Sequence, residues 1–231
     1  MSIELSKLIN TNNQESDDSQ WLPISDLMSG LMILFLFIAI SLILDTKKVA
    51  DSYQNNQEKI YQALKEEFAD DLDDWKARID KDTLTFVFTD PEVLFKTGDS
   101  SLQDRFKKTL QKFFPRYIQV IDQYKDSISE VRIEGHTSSE WTNATTEDIA
   151  YFENMRLSQD RTRAVLAFTY QLDEITQYRN WIKANISAVG LSSSKVVMND
   201  KGLENKEASK RVTFRIITNA EEQLQKISEM Q

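Results

Sequence analysis

Residues 22–44, LPISDLMSGLMILFLFIAISLIL, decide the architecture of this 231-residue chain. The run is 23 residues long and carries one charge, Asp26. About 20 apolar residues, rising about 1.5 Å each, cross the hydrocarbon core of a bilayer, so the run predicts a transmembrane helix. The preceding 20 residues hold Lys7 against Glu4, Glu15, Asp17 and Asp18. That is not the basic start of a secretory signal, and no small-x-small cleavage site follows the run, so the helix reads as uncleaved. Acid precedes the helix and Lys47 and Lys48 follow it. Taken alone, the positive-inside bias would put the C-terminal part in the cytoplasm, but long domains are translocated largely regardless of it.

The whole-chain averages conceal this segment. With 28 Lys+Arg against 37 Asp+Glu the net charge is −9, and the mean hydropathy is −0.47. These values describe an acidic, water-soluble domain and exclude a nucleic-acid partner, because phosphate neutralisation needs clustered Lys and Arg. The absence of cysteine excludes disulfides, thiolate–metal sites and cysteine nucleophiles. A single histidine excludes multi-His metal sites. No metal, cofactor or enzymatic activity is expected.

The chain divides into an arm (1–20), the membrane helix (21–45), a helical linker or stalk (46–82), a folded domain (83–220) and a short tail (221–231). In the linker, Val49, Tyr53, Ile60, Leu64, Phe68, Leu72, Trp75 and Ile79 recur mostly at three- and four-residue steps, amphipathic helical spacing with a charged opposite face. Beyond it, 84–88, 131–134, 186–189 and 212–217 read as strands, and 102–124 and 154–172 as helices, with Pro115 as a break or kink in the first of these. The expected class is α+β: a transmembrane helix, a helical stalk, then an α/β sandwich with helices on one face of a mixed sheet that finishes on an edge strand.

Asp26 lies five residues into the apolar run. An ionised carboxylate in hydrocarbon costs from a few to more than about ten kcal/mol, so such a residue faces a protein interior, pairs, or takes up a proton. It marks a proton- or ion-pathway hypothesis. Ser29, Gly30, Ile33 and Phe37 share its helix face, and the small residues permit close helix packing. The competing reading is an interfacial acid solvated at headgroup level. The ordered set Asp26-Leu-Met28-Ser-Gly-Leu-Met32 resembles the transmembrane helix of the MotB-like stator B subunits. The resemblance implies that Asp26 is the group that accepts and releases the driving ion.

Ile133-Glu-Gly135-His136-Thr137, followed by Asn154-Met-Arg-Leu157-Ser158-Gln-Asp-Arg161, resembles the OmpA-like peptidoglycan-binding domain. Leu94-Phe95 with Gly98 and Leu102 matches the family's lead into its first long helix. Ser209-Lys210-Arg211-Val212 sits where the family has Asn-Arg-Arg-Val before the last strand. The resemblance covers residues 83–218 and implies peptidoglycan binding by Thr137, Ser138, Asn154, Leu157, Arg161 and Arg211. The ligand chemistry agrees: diaminopimelate in a stem peptide presents a carboxylate and an ammonium, and Arg161 offers a planar fork for the carboxylate. Arg161 reads as lying near a helix N-terminus, whose free N–H groups would add anion affinity. Asn154 is suited to capping that helix or binding peptide backbone. One departure stands out, because Ser138 occupies the position of the family's ammonium-pairing Asp. The loop after it is longer than usual, and Glu140, Glu147, Asp148 or Glu153 could replace the missing carboxylate. His136 has no nucleophile with an orienting third group around it, so no catalytic role is assigned.

These parts together resemble a stator B subunit: a homodimer threaded through a ring of MotA-like A subunits, surrounded by inner-membrane lipid and held to the wall by its outer domain. The resemblance implies a cytoplasmic N-terminus and a periplasmic C-terminal domain. A flagellar B subunit has a basic arm, Tyr-Ala before the Asp and a later Trp in the span; this chain has none of the three. Trp21-Leu-Pro-Ile-Ser-Asp26-Leu-Met-Ser-Gly30 is instead similar to the ZorB family of Zorya anti-phage motors, which implies a ZorA-like ring as partner. A flagellar-type stator subunit and a passive wall tether without ion work remain the alternatives. A TonB- or Tol-type transducer fits less well, because its outer domain is smaller.

Overall fold

The computed structural model describes residues 15–96, 98–142 and 144–219, with side chains from residue 24 onward except those of 49–54 and Glu92. The expected tail (221–231) and residues 1–14 of the expected arm lie outside the described residues. The chain forms two compact units, Met1–Ala50 and Asp51–Gln231.

Helix α1, Glu15–Phe68, passes through both units. In the first unit it contains the segment Ile24–Lys48, long and apolar enough to cross a membrane, with none of its side chains buried. Large apolar residues there, among them Leu27, Met32 and Phe37, are about three-quarters exposed (74%, 74% and 72%). In water that surface would be strongly unfavourable, and a bilayer is the surrounding that suits it.

In the second unit the end of α1 is not a solvated stalk. Ile60, Leu64 and Phe68 are fully buried and belong to the hydrophobic core of the folded domain. The helical reading of 46–82 is therefore corrected at both levels. The helix stops at Phe68, turns occupy the next residues, and Ala77–Asp80 forms strand β1. Leu72, Trp75 and Ile79 continue the three- and four-residue spacing but are spent on a turn and a strand packed against the same core. Two acidic pairs, Asp70-Asp71 and Asp73-Asp74, flank Leu72, and Lys76 adopts φ 46°, conditions under which a helix does not continue.

The remaining elements are β2 (Thr85–Phe88), α2 (Pro91–Leu94), α3 (Asp104–Asp122), β3 (Ile128–His136), α4 (Glu147–Tyr170), α5 (Arg179–Asn185), β4 (Ile186–Gly190), α6 (Lys206–Ser209) and β5 (Arg211–Thr218). The sheet runs β1-β2-β5-β3-β4. β3 and β4 pair in parallel and the other neighbours antiparallel. A parallel neighbour needs a crossover, and α4 and α5 supply it. The last strand does not finish at an edge as expected: β5 sits in the centre, between β2 and β3. Its pattern fits that place, because six of its eight residues are buried.

Alternation along the strands puts Phe86, Phe88, Val212, Phe214, Ile133 and Gly135 on one face. On that face Phe113 of α3 stands 4.6 Å from Phe86, 5.1 Å from Phe88 and 5.0 Å from Phe214, ring centre to ring centre. Phe68 joins the cluster at 5.3 Å from both Phe86 and Phe113. Pro115, expected as a break or kink, is buried within α3, which runs on past it to Asp122, so the helix does not break there. Helix α4 covers the same face beside α3, and its approach is set by glycine. A Cβ on Gly135 would meet the Ser158 carbonyl oxygen at 2.7 Å, and one on Gly190 would meet the Gln159 backbone nitrogen at 2.4 Å. No other residue permits that approach.

Candidate ligand cleft and membrane carboxylate

The close seat of α4 on β3 and β4 fixes the cleft. Ser158, fully buried, donates to the Met155 carbonyl and accepts from the amide of Ser192 at 3.1 Å. Ser192 holds the strained φ of 51°, donates its hydroxyl to the Tyr151 carbonyl at 2.7 Å, and accepts from the Thr137 amide at 2.9 Å. The end of β3, the loop after β4 and one face of α4 are thereby locked together. Ser158 lies within the motif, but nothing in its spacing shows that its hydroxyl would tie two loops.

Between this frame and the loop after α2 lies a cleft of about 500 Å³. Thr137, Ser138, Asn154, Leu157 and Arg161 all line it, so five of the six residues expected at the wall site come together. Arg211 does not line it. Its guanidinium donates to the carbonyls of Ser209 (3.0 Å) and Lys195 (2.9 Å), which ties the start of β5 to the preceding loop. Asn154 faces the cleft but does not cap a helix. α4 begins seven residues earlier, at Glu147, where the Thr146 hydroxyl accepts from the Ile149 amide. The Asn154 amide donates instead to the carbonyls of Ser138 and Glu140, both at 3.1 Å, and so shapes the cleft wall.

Arg161 is likewise not near a helix N-terminus but 14 residues into α4, out of reach of the free N–H groups at its start. What remains is a partly buried guanidinium. Nε donates to the Asp99 carbonyl at 2.9 Å and Nη2 to the Lys96 carbonyl at 3.3 Å, while the Phe95 ring lies 4.8 Å beneath. Asp99 spends its carboxylate on the amides of Ser100 and Ser101. Among the described residues no carboxylate forms an ion pair with Arg161. Burial pushes its pKa down to about 10, the opposing field of Asp99 notwithstanding. The group is still cationic at neutral pH, and among the described residues it meets carbonyl dipoles and no ion-paired carboxylate, which favours an anionic ligand. Thr137 adds a buried hydroxyl oxygen without a hydrogen-bond partner in the described structure.

Of the four acids that could replace the family Asp, one lines this cleft: Glu140, paired with Lys206. Glu153 pairs with Arg156, and Glu147 faces a neighbouring hollow. Glu207, Lys210 and Trp141, not anticipated from the sequence, also line the cleft. Beneath it, His136 and Glu134 are buried, with Nε2 3.5 Å from Oε2, too far for a good hydrogen bond. Burial holds the His136 pKa below the usual imidazole value, against the pull of Glu134. For Glu134, burial acts upward but is outweighed by His136, Arg215 and the Thr213 hydroxyl, so its pKa is low.

In the first unit Asp26 stands on α1 next to Leu27 and Met28, one turn before Gly30, whose surroundings are open. Asp26 is the one charge of residues 22–44.

No family model matches the chain. Over 221 residues it is 48% identical to the Zorya protein ZorB of Escherichia coli, a match covering 93% of this chain and 94% of that protein. The chain belongs to the ZorB family. So broad a match takes in both the apolar helix and the folded domain. Similar solved structures include a MotB-like protein from Desulfovibrio vulgaris, at 21% identity and TM-score 0.49, covering 72% of this chain and 96% of that one. Another is the cell wall anchor of the T6SS from Pseudomonas aeruginosa, at 18% identity and TM-score 0.44, covering 68% of this chain and 97% of that one.

Proposed function

We propose that this chain is the B subunit of a Zorya-type anti-phage motor in the bacterial inner membrane. In this reading α1 threads a ring of ZorA-like A subunits as one half of a homodimer, with the N-terminus in the cytoplasm. Protons passing Asp26 drive rotation of the ring, and the periplasmic domain holds the dimer to peptidoglycan. The observation that carries the reading is the 48% identity to the Zorya protein ZorB across nearly all of both chains. An acid isolated in an apolar span, where ionisation is costly, supports the ion role. A guanidinium that, among the described residues, bonds to backbone carbonyls and pairs with no carboxylate supports the anchor role.

At the anchor, Arg161 receives the carboxylate of the diaminopimelate side chain. Thr137 supplies a hydroxyl to the same group, and Leu157 packs on the methylene chain. Glu140, released from Lys206, takes the ammonium in place of the family Asp that Ser138 has displaced. The role is that of a motor subunit, with no bond made or broken in a substrate.

The test is phage plating on cells that carry the full defence system with either the native chain or a variant. Asp26→Asn should abolish protection while the protein stays in the membrane fraction at native abundance; undiminished protection would remove Asp26 from the mechanism. Arg161→Ala should weaken co-sedimentation with purified peptidoglycan by about 10- to 100-fold, the loss expected for a hydrogen-bonded charge pair.

A further inference from the structure

Arg161 projects from the middle of α4, yet the groups that hold its guanidinium come from the segment between α2 and α3. That segment has a pinched base. Phe95 and Leu102 form an isolated bridge, and the Gln103 amide donates to the Leu94 carbonyl at 3.1 Å. The Phe95 ring is buried, with the Phe106 ring centre 6.1 Å away. Above the base, the Asp99 amide donates to the Lys96 carbonyl at 3.0 Å, and Gly98 takes a φ of 70° that glycine adopts without strain. Asp99 then closes the tip: a single carboxylate oxygen, Oδ1, accepts from the amides of Ser100 (2.6 Å) and Ser101 (3.1 Å). These bonds, the Ser101 amide foremost, hold its carboxyl below the usual carboxylate range.

The consequence for the guanidinium is directional. Its five N–H donors form a rigid planar fork. The Asp99 and Lys96 carbonyls occupy one edge of that fork, Nε and Nη2, while the Phe95 ring covers one flat face. Among the described residues Nη1 makes no hydrogen bond. The Nη1–Nη2 edge is therefore left for an incoming carboxylate, which such an edge receives with two parallel bonds. A long side chain already held in this way loses less entropy when the ligand arrives.

We infer that Asp99 is a positioning residue of the anchor: by fixing the turn it keeps two carbonyls on the Nε–Nη2 edge of Arg161, so that the ligand's carboxylate is received on the Nη1–Nη2 edge. This rests on the peptidoglycan reading above and deepens it. Asp99 itself does not line the cleft. Its charge works against binding, because its field reaches the guanidinium and so opposes a second carboxylate brought there. Turn and charge are separable by substitution. Asn keeps an Oδ1 acceptor for both amides and removes the charge, whereas Ala removes both.

The experiment measures binding of a diaminopimelate-containing tetrapeptide to the detergent-solubilised full chain by calorimetry. Asp99→Ala should weaken binding about three- to tenfold, the cost of ordering one long side chain at the moment of association. Asp99→Asn should bind at least as tightly as the native chain. Both variants should keep the native urea midpoint, because Asp99 is exposed. Against the same tetrapeptide with the diaminopimelate side-chain carboxylate amidated, Asp99→Ala and the native chain should bind equally. Native affinity in Asp99→Ala, a loss in Asp99→Asn as large as in Asp99→Ala, or an equal loss on the amidated probe would overturn the positioning role while leaving the anchor standing. A fall in the urea midpoint of Asp99→Ala alongside its loss of binding would also overturn it, since the turn would then support the fold. Failure of the native chain to bind the tetrapeptide would overturn the anchor reading and this inference with it.

Discussion

Replacing Phe68 by Ala tests whether the end of α1 is a wall of the folded domain or a solvated stalk. The ring is fully buried, 5.3 Å from Phe86 and Phe113 and 5.9 Å from Trp75. On its other face the Arg116 guanidinium lies 4.7 Å from the ring centre while pairing with Glu67 and Asp71. Truncation of a buried Phe to Ala costs about 3–5 kcal/mol, because transfer free energy is lost and a cavity remains. The loss of edge-to-face partners and of the surface beneath Arg116 places the expected value in the upper half of that range. For a domain of this size each kcal/mol shifts the melting temperature by about 2–4 °C, so a fall of about 10–15 °C is expected. Near-ultraviolet circular dichroism of the full chain in detergent, with urea and heat as denaturants, reports this packing directly. Phe68→Leu should lose less, and Lys65→Ala, at an exposed position on the same helix, should stay within about 0.5 kcal/mol of the native value. A loss below about 1 kcal/mol for Phe68→Ala would mean that the helix end does not belong to the core.

Gly190→Ala should destabilise the domain by about 2–3 kcal/mol, since the new methyl would sit 2.4 Å from the Gln159 nitrogen and α4 would have to move. The same variant should weaken peptidoglycan co-sedimentation, because α4 carries Arg161 and Leu157. The pH dependence of stability follows from the buried pair under the cleft. His136 has its folded pKa below the unfolded value of about 6.5, so the unfolded chain binds more protons there, and stability is full above that value and falls as pH drops below it. Glu134, also lowered, adds a second loss below about pH 4.5. Urea midpoints taken from pH 7.5 to 5 should decline in the native chain and stay flat in His136→Gln; parallel slopes would place the effect elsewhere.

The sequence was most legible where one face is buried and one is not. The strand pattern at 131–134 lies inside β3, and 186–189 and 212–217 fall within β4 and β5, because alternation and β-branched residues carry a local signal. The position of β5 in the sheet has no such signal, since strand order depends on pairing between distant segments. The stretch after Phe68 misled because Leu72, Trp75 and Ile79 pack on the same core from a turn and a strand, at intervals that a helix would also give. Within the site, the family resemblance picked out Thr137, Ser138, Asn154, Leu157 and Arg161, and the fold brings them to one cleft. It misjudged how two of them act: α4 starts seven residues earlier than its apolar pattern, since its first turns pack few large side chains and Ile149 and Phe152 are exposed. That shift turned Asn154 from a cap into a loop clamp and removed the helix N-terminus from Arg161. Glu140 is one of four acids near the motif, and only the fold distinguishes it, by bringing the loop against Lys206.

Proton flux through the assembled complex tests most directly whether ions pass at Asp26. The chain, purified with its ring-forming partner and reconstituted into vesicles enclosing a pH-sensitive dye, should acidify the lumen under an imposed inward proton gradient. Asp26→Asn should reduce that flux to the rate of protein-free vesicles, and Asp26→Glu should retain part of it. Flux through Asp26→Asn equal to that of the native complex would exclude Asp26 from the ion path.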